Sequence, residues 1–591
     1  MNIAITGEGV VCAAGLDKAS LLRSLREGKS GVARMQYLQP VNEDLPVGEV
    51  KLSTQKMRDM LGVKSEMIGR TPLMGIMAVR EALEDAGLSI DKLQKSGLRI
   101  VLVSGTTVGG MDISEQYFRE FTGSANVSEC LAYHDCGCST KVIANYFGVF
   151  ADYTTISTAC SSAANAIILG ARLLESGYAD IVVAGGSEAL SLFHFTGFSS
   201  LMILDKHRCR PFDAGRQGLN LGEGAGFVVM ETLEMARRRN SEVHAYLRGY
   251  GNACDAFHQT ATSPGATGAY LAMTEALGMS GLEKSDIQYI NAHGTGTANN
   301  DATESTAIRR VFGSELPEVS STKPFTGHTT SASGSIEAII SIMAIQDKFI
   351  PENLGWTVGD ADVITPSLGE EHADVHNVIC NSFGFGGNDS TLVLSDRCGC
   401  SDDEQASATE NAKPEVRELS RVDITEESQL AEIGEFVKPM ELRRMGKLMR
   451  ASILSTIKAL GAAHVSVPDA IITSTARGCL ENSEKFACQM LSDGEQTPSP
   501  TLFMQSTHNT MASMIAIRLK CHGYNMTYSQ EHRSLEWALR DARMLIESGR
   551  ARTVLVEYHD EYTDTIRNIL SKYREVSELE RFKSTAIVLS C

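Results

Sequence analysis

Short β-branched runs followed by apolar stretches of helical period set the rhythm of this chain. The clearest case is residues 153–157, Tyr-Thr-Thr-Ile-Ser, which predict a strand leading through Thr158 and Ala159 to Cys160. A small-residue apolar helix follows, running to about Ser176 and stopping at Gly177. Further strands are predicted at 99–105, 180–183, 288–290 and 376–380, and a helix at 333–348. The start of the chain, 3–11, is also strand-like.

The same pattern returns after residue 415. Residues 469–475 resemble 99–105 as a strand running into a Gly-bearing loop, and 525–529 resemble 153–157. Residues 543–549, Arg-Met-Leu-Ile-Glu-Ser-Gly, resemble 171–177, Ala-Arg-Leu-Leu-Glu-Ser-Gly, and each leads into a β-branched strand, 553–556 and 180–183. A helix is predicted at 447–460 and a last strand at 585–589. Counting back from Gly549 and Gly177 without gaps sets His532 where Cys160 stands, so the second copy carries no thiol at its turn. The polar stretch from Asp396 to about Glu415, with Asp402, Asp403 and Glu404, reads as a linker.

Cys160 sits where a strand turns into a helix, and a helix start carries unpaired N–H groups and roughly half a positive charge, which favours thiolate over thiol. Two histidines lie in Gly/Thr-rich turns downstream: His293 in Asn291-Ala292-His293-Gly294-Thr295-Gly296-Thr297, and His328 after Lys323-Pro324-Phe325-Thr326-Gly327. A Gly-rich loop, Asn381 through Phe383, Gly384, Phe385, Gly386 and Gly387 to Asn388, follows another strand. One Cys, two His and such a loop, all at strand ends, point to an acyl-transfer site assembled from distant segments. Any one of them alone would read more simply as a buried thiol or a hydrogen-bonded turn residue.

With Ala184-Gly185-Gly186-Ser187-Glu188, Pro211-Phe212-Asp213 and Gly222-Glu223-Gly224-Ala225-Gly226 in order between these motifs, residues 1–395 resemble an elongating β-ketoacyl-acyl carrier protein synthase of the Cys-His-His type. The resemblance implies a thiolase-like layered α/β/α/β/α fold. It also implies an acyltransferase, a 3-oxoacyl-[acyl carrier protein] synthase. Cys160 would take an acyl group from a carrier's phosphopantetheine, and the enolate left when malonyl-carrier loses carbon dioxide would attack that thioester. By resemblance His293 and His328 stabilise the enolate oxygen, Lys323 supports the His328 imidazole electrostatically, and Glu337 anchors Lys323 or a water. Asp301 and Glu304 hold the His293 loop. The N–H groups of Cys160 and Phe385 form the oxyanion hole, Phe383 and Phe385 gate the acyl tunnel, and Thr260, Thr295 and Thr297 bind the pantetheine arm. No cofactor is implied beyond the substrate-carrying phosphopantetheine, and no metal.

Two departures leave substrate preference open: Ser331-Ala332-Ser333-Gly334 stands where the family often has Gly-Ala-Ala-Gly, and Asn388-Asp389 replaces the usual Thr-Asn. Residues 418–591, after a linker at 396–417, resemble the N-terminal half of a chain-length factor, and Met440-Glu441-Leu442-Arg443-Arg444-Met445 adds to that likeness. Ketosynthases pair across the strand before the nucleophile, so the half-copy is expected to fill that place, giving an intramolecular pseudo-dimer instead of a dimer. The alternatives are a non-catalytic chain-length-factor-like subunit or scaffold, and a thiolase acting on coenzyme A thioesters. Fatty acid, aryl polyene and polyketide products all remain open.

Composition narrows the setting. The chain has 591 residues, 43% hydrophobic, with 52 Gly, enough for one large core and part of another. No run of eighteen apolar residues occurs, so neither a membrane span nor a signal peptide is expected. Fourteen Cys without a regular framework fit a reducing cytoplasm. The pairs Cys136-Gly137-Cys138 and Cys398-Gly399-Cys400 lack ligand spacing to a second pair. A net charge of -19 argues against nucleic acid. Docking an acidic acyl carrier protein would then need a local basic patch, with Lys56, Arg58 and Lys64, or Lys206, Arg208 and Arg210, as candidates.

Overall fold

The computed structural model describes residues 3–40, 44–118, 130, 132–399, 414–443, 445–492, 498–571 and 581–591, and within them one five-stranded sheet occurs three times. The first is built from β1 (Ile3–Cys12), β2 (Ile100–Gly105), β3 (Asp152–Ile156), β4 (Ile181–Glu188) and β5 (Gly224–Thr232) in the order β3-β2-β4-β5-β1. The second uses β6 (Ala245–Cys254), β7 (Tyr289–Asn291), β8 (Glu318–Ser320), β9 (Asn377–Gly384) and β10 (Asn388–Ser395) in the order β8-β7-β9-β10-β6. The third uses β11 (Arg417–Ile424), β12 (Ala470–Ser474), β13 (Tyr524–Tyr528), β14 (Thr553–Glu561) and β15 (Phe582–Ser590) in the order β13-β12-β14-β15-β11. In each, three neighbouring strands pair in parallel and the fourth in the order (β5, β10 or β15) runs antiparallel to the other four.

The sheets join at their edges. β1 meets β6 through Ile3↔Leu247 to Ile5↔Ala245, and β3 meets β13 at Ile156↔Tyr528, both antiparallel. The second junction carries two reciprocal hydrogen bonds, Ser157 N–H to Thr527 O at 2.9 Å and Ser529 N–H to Thr155 O at 3.0 Å. Residues 157 and 529, and 155 and 527, occupy equivalent places in the two copies, so the junction has a local two-fold axis.

Helices complete the layers. α1 (Arg70–Asp85) covers the outer face of the first sheet and α2 (Cys136–Phe147) lies beside it; α3 (Ser162–Glu175) crosses the inner face, and α4 (Leu192–Ser200) follows β4. In the second unit α5 (Thr267–Ser280) and α6 (Ala298–Phe312) lie outside, while α7 (Ser333–Asp347) packs on α3 between the two sheets. α3 is buried from Ser162 to Leu174 and α7 from Ser333 to Ile345, as a helix apolar on all sides must be. The result is the α/β/α/β/α layering of a thiolase-like fold.

The third unit carries α8 (Lys447–Ala462), α9 (Leu480–Ser492), α10 (Pro500–Met504), α11 (Thr510–Leu519), α12 (Ser534–Glu547) and α13 (Asp564–Ser571). α12 is amphipathic, with Trp537, Ala538, Asp541, Ala542, Leu545 and Ile546 buried and Glu536 and Arg543 exposed. Among the described residues no second sheet covers it. Cys400 and most of the expected linker lie outside the described residues, and β11 begins at Arg417. None of the helices described is long and apolar enough to cross a membrane.

Candidate active site

After β3, β8 and β13 the chain makes the same move. A three-residue turn (Ala159–Ser161, Thr330–Ala332, Glu531–Arg533) opens directly into a helix whose first residue is serine: Ser162, Ser333 or Ser534. The first residue of each turn is left-handed, Ala159 at φ 54°, Thr330 at φ 46° and Glu531 at φ 46°. That conformation costs an L-residue about 1–2 kcal/mol. The serine holds it: Ser162 Oγ accepts the Thr158 N–H at 2.9 Å and donates to Ala159 O at 2.6 Å. Ser534 does the same between Gln530 N–H (2.7 Å) and Glu531 O (2.8 Å). The residue projected by the turn differs: Cys160, Ser331 and His532. Ser331 is tied to the Glu188 carboxylate, and His532 is exposed. Cys160 alone lies in a cavity, one of about 390 Å³.

His328 Nε2 is 3.1 Å from Cys160 Sγ, and its Nδ1 is 3.0 Å from Ser333 Oγ. The His293 ring stands 5.2 Å from that of His328 at 82°. Lys323 Nζ lies 3.4 Å from His293 Nδ1 and 2.5 Å from Glu337 Oε1. Lys323 therefore contacts the first imidazole directly, and its charge also acts on the second. With an ammonium facing Nδ1, the proton of neutral His293 is assigned to Nε2. Glu304 accepts the N–H groups of His293 and Gly294, both at 2.8 Å, and Asp301 those of Thr295 and Gly296 at 3.1 and 3.2 Å. These two carboxylates pin the His293 loop.

Burial, reinforced by the Lys323 charge, pushes both imidazoles well below the usual histidine value, so they are neutral near pH 7. Burial also pushes the Cys160 thiol up to about 12, against the opposing influence of Lys323 and of the Phe385 N–H that bonds its sulfur. Desolvation of the sulfur, in a residue 5% exposed, therefore works against the thiolate preference of the helix start. Burial raises Glu337 to about 7, with Lys323 pulling the other way.

β9 runs as far as Gly384, so half of the segment read as a loop is strand, and only Phe385, Gly386 and Gly387 turn the hairpin into β10. Gly386 (φ 88°) and Gly387 (φ 72°) supply the left-handed backbone that brings Phe385 N–H to Cys160. Phe385 stacks on Phe198 (5.7 Å, 17°), and Phe383 lies 5.8 Å from His293. Thr260, Thr295 and Thr297 line the same cavity, the last two with hydroxyls 2.8 Å apart. The structure thus brings Cys160, His293, His328, Phe383, Phe385 and the three threonines around one space, with Lys323 behind His293.

Several contacts had no signal in the sequence. Asn388 Oδ1 accepts from Ser161 Oγ and Asn165 Nδ2, both at 2.8 Å, and its Nδ2 donates to Asn525 O at 2.6 Å. A residue beside the nucleophile is thereby linked to the third unit. Phe503 of α10 lies edge-on to Phe198 at 5.5 Å, and a Cβ on Gly197 would fall 2.2 Å from its ring. Asn509 Nδ2 donates to Phe385 O at 2.8 Å.

Of the basic candidates, Arg58 is buried and spent on the carbonyls of Glu66 and Ile68, which removes it from a docking patch. Lys56, Lys64, Lys206 and Arg208 are exposed, and Arg210 is half-buried. Cys136 and Cys138 are buried in the first turn of α2. Among the described residues one trio, Glu8, Asp85 and His244, has metal-like spacing. The Lys18 ammonium already occupies it, 2.5 Å from Glu8 and 2.6 Å from Asp85.

Layered halves and a Cys-His-His cavity define a condensing enzyme of the thiolase-like class. The family model described as "Beta-ketoacyl synthase, N-terminal domain" matches residues 1–236, and "Beta-ketoacyl synthase, C-terminal domain" matches 244–357. A second N-terminal-domain model matches 417–578. The chain belongs to the β-ketoacyl synthase family. It is 32% identical over 413 residues to the 3-oxoacyl-[acyl-carrier-protein] synthase 2 of Staphylococcus aureus (strain MRSA252), across 67% of this chain and 98% of that protein. The solved ishigamide ketosynthase/chain length factor aligns with TM-score 0.62 at 32% identity, covering 67% of this chain and 99% of that one. The PfaC keto synthase–chain length factor aligns with TM-score 0.80 over 100% of this chain and 78% of that one at 15% identity, a likeness of fold.

Proposed function

We propose that the chain is a 3-oxoacyl-[acyl carrier protein] synthase: an acyltransferase that condenses a Cys160-bound acyl group with malonyl-acyl carrier protein, in fatty acid, aryl polyene or polyketide synthesis. The observation that carries this reading is Cys160 Sγ held 3.1 Å from His328 Nε2 in a cavity that His293 also lines.

In the first half-reaction Cys160 sulfur attacks the carrier-bound thioester carbonyl, the pantetheine sulfur leaves, and the thiol proton passes to it. The N–H groups of Cys160 and Phe385 receive the developing oxyanion. In the second, the bond from malonyl carbon to its carboxylate breaks, carbon dioxide departs, and the electron pair forms an enolate whose oxygen lies between His293 and His328. Neutral imidazoles donate hydrogen bonds there without delivering a proton to the nucleophilic carbon. The enolate carbon attacks the thioester, its C–S bond breaks, and Cys160 sulfur regains a proton. Thr260, Thr295 and Thr297 lie along the pantetheine path; the reading calls for no cofactor beyond that arm. A reaction run on a free thiol suits the reducing cytoplasm.

The third unit takes the place of the partner in a two-fold ketosynthase dimer, supported by the reciprocal bonds of Ser157 and Ser529. His532 is exposed, and this reading gives it no chemistry. A purely scaffolding role for the whole chain is disfavoured by the assembled Cys160 site.

Intact-mass analysis tests the reading. Wild type gains the mass of an acyl group from acyl-carrier protein and Cys160→Ala does not. His293→Ala and His328→Ala still load but lose condensation by roughly 100- to 1000-fold, the scale of a lost oxyanion donor. Loading that survives Cys160→Ala, or a wild type that never loads, refutes it.

A further inference from the structure

We infer that Asn509 of the third unit is a positioning residue for the reaction at Cys160: it holds the Phe385 backbone in the conformation that offers its N–H to the reacting thioester. This rests on the reading of Cys160 as the acyl acceptor, and it assigns the half-copy a part in catalysis besides assembly.

The geometry is specific. The Phe385–Gly386 peptide is gripped on both sides: its carbonyl accepts from Asn509 Nδ2 at 2.8 Å, and its N–H donates to Gln259 O at 2.7 Å. One grip comes from the second unit and one from the third. Phe385 N–H, on the other side of the same residue, bonds Cys160 sulfur. With the carbonyl direction fixed, Phe385 retains little freedom in ψ, and the two glycines after it cannot hold the turn unaided. Asn509 is 2% exposed, so water is a poor substitute for its amide. It is also closely fitted, since a Cβ on Gly386 would lie 2.9 Å from its Nδ2. At the equivalent position of the first unit stands Gly137, which has no side chain to offer. The third unit therefore supplies something that pairing with a second catalytic copy would not. Phe503 supports the same element from its other face, through Phe198 to the Phe385 ring.

A donor that is misaimed, not removed, affects only steps that build charge on the carbonyl oxygen. Acylation of Cys160 by a thioester is such a step. Alkylation by iodoacetamide, a direct displacement at carbon, is not. The two reactions on one sulfur therefore separate positioning from access and folding.

The test follows both by intact mass, with octanoyl-N-acetylcysteamine as acyl donor, in wild type, Asn509→Ala and Asn509→Asp; His532→Ala serves as an exposed control in the same unit. Asn509→Ala should acylate roughly 10- to 100-fold more slowly, short of the 100- to 1000-fold of an outright donor loss, with iodoacetamide alkylation within twofold of wild type. Asn509→Asp cannot donate when ionised and can when protonated, so its acylation should be impaired at pH 8 and recover toward pH 6, burial having raised its carboxyl. A packing role predicts no such recovery. Unchanged acylation in Asn509→Ala, a proportional fall in both reactions, or a flat pH profile in Asn509→Asp overturns the inference. If wild type is alkylated but never acylated, the reading of the site itself fails and the inference falls with it.

Discussion

The contact between α3 and α12 decides whether the catalytic unit pairs with its own half-copy or with a second chain, and it can be weighed by a double-mutant cycle. Arg172 on α3 is 3% exposed and is paired with the fully buried Asp541 on α12. Tyr524 completes the set: its hydroxyl accepts from Arg172 Nη1 at 3.0 Å and donates to Asp541 Oδ2 at 2.9 Å. The arrangement is not two-fold symmetric. Asp541 is the counterpart of Leu169, and Tyr524 that of Asp152, so two catalytic units brought together would set each Arg172 near Leu169, with no carboxylate at the place of Asp541 and Asp152 at that of Tyr524. Removing one member of a buried pair costs about 3–5 kcal/mol, whereas replacing both by apolar groups is near neutral.

For a unit of this size each kcal/mol shifts the melting temperature by about 2–4 °C, so Asp541→Leu and Arg172→Met should each lower the third unit's transition by about 6–20 °C. The combined variant should return to within about 1 kcal/mol of wild type. The chain has two tryptophans, Trp356 in the second unit and Trp537 buried in α12, so fluorescence in a Trp356→Phe background reports the third unit alone. Single variants that shift the transition by less than about 2 °C, or a double variant as unstable as the singles, would show that this pair does not govern the junction.

Two further outcomes follow from buried groups of the third unit. Burial raises Glu561 from the usual 4.5 to about 7, so its contribution to stability is complete below the unfolded value and is lost as pH rises through 7, on the order of 3 kcal/mol in all. Denaturant titrations should find this unit weaker at pH 8 than at pH 5 and the difference reduced in Glu561→Gln; an equal slope in both chains refutes the assignment. Phe503→Ala removes a ring that stands between the active-site cavity and a second chamber of about 50 Å³ lined by Val108, His194 and His508. At a cost of about 3–5 kcal/mol in stability, it should lengthen the products read by intact mass, and an unchanged product length would show that Phe503 does not close the tunnel.

The nucleophile turn was legible because it is local: a β-branched strand, a small-residue helix and Cys160 between them lie within one short stretch. The repeat was legible for a related reason, since the segment from β13 to β14 keeps the spacing of β3 to β4 without a gap. What depends on the direction of a side chain was not legible. Lys323 is close in sequence to His328, on which its charge acts, yet its direct contact is with His293. The helix start at Cys160 is visible in sequence, and the burial that opposes thiolate there is not. Arg58 was counted with its basic neighbours until its guanidinium was found among carbonyl groups. Asn509 gave no signal, and Asn388 stood out only as a departure from the family's Thr-Asn, since an asparagine's role rests on what lies across from it.

Among the described residues no second sheet covers the third unit, and the residues on the outer face of α12 fit that arrangement. In the first unit Ala164 of α3 lies so close to α7 that a Cβ on Gly334 would come within 2.9 Å of the Ala164 methyl group. Its counterpart on α12 is Glu536, which is exposed and pairs with Arg533 and Arg540. Ala171, also buried against the middle layer, has Arg543 as its counterpart, again exposed. A helix like α7 laid over α12 would bury these charges at several kcal/mol each. The edge of β13 and the inner face of α12, by contrast, remain apolar or specifically paired, through Tyr528, Trp537 and Asp541. A partner unit needs that edge and that face to complete the two-fold junction, while a covering sheet serves to enclose a nucleophile. With His532 in place of the thiol there is nothing to enclose, and the charges on α12 turn the uncovered face into ordinary protein surface.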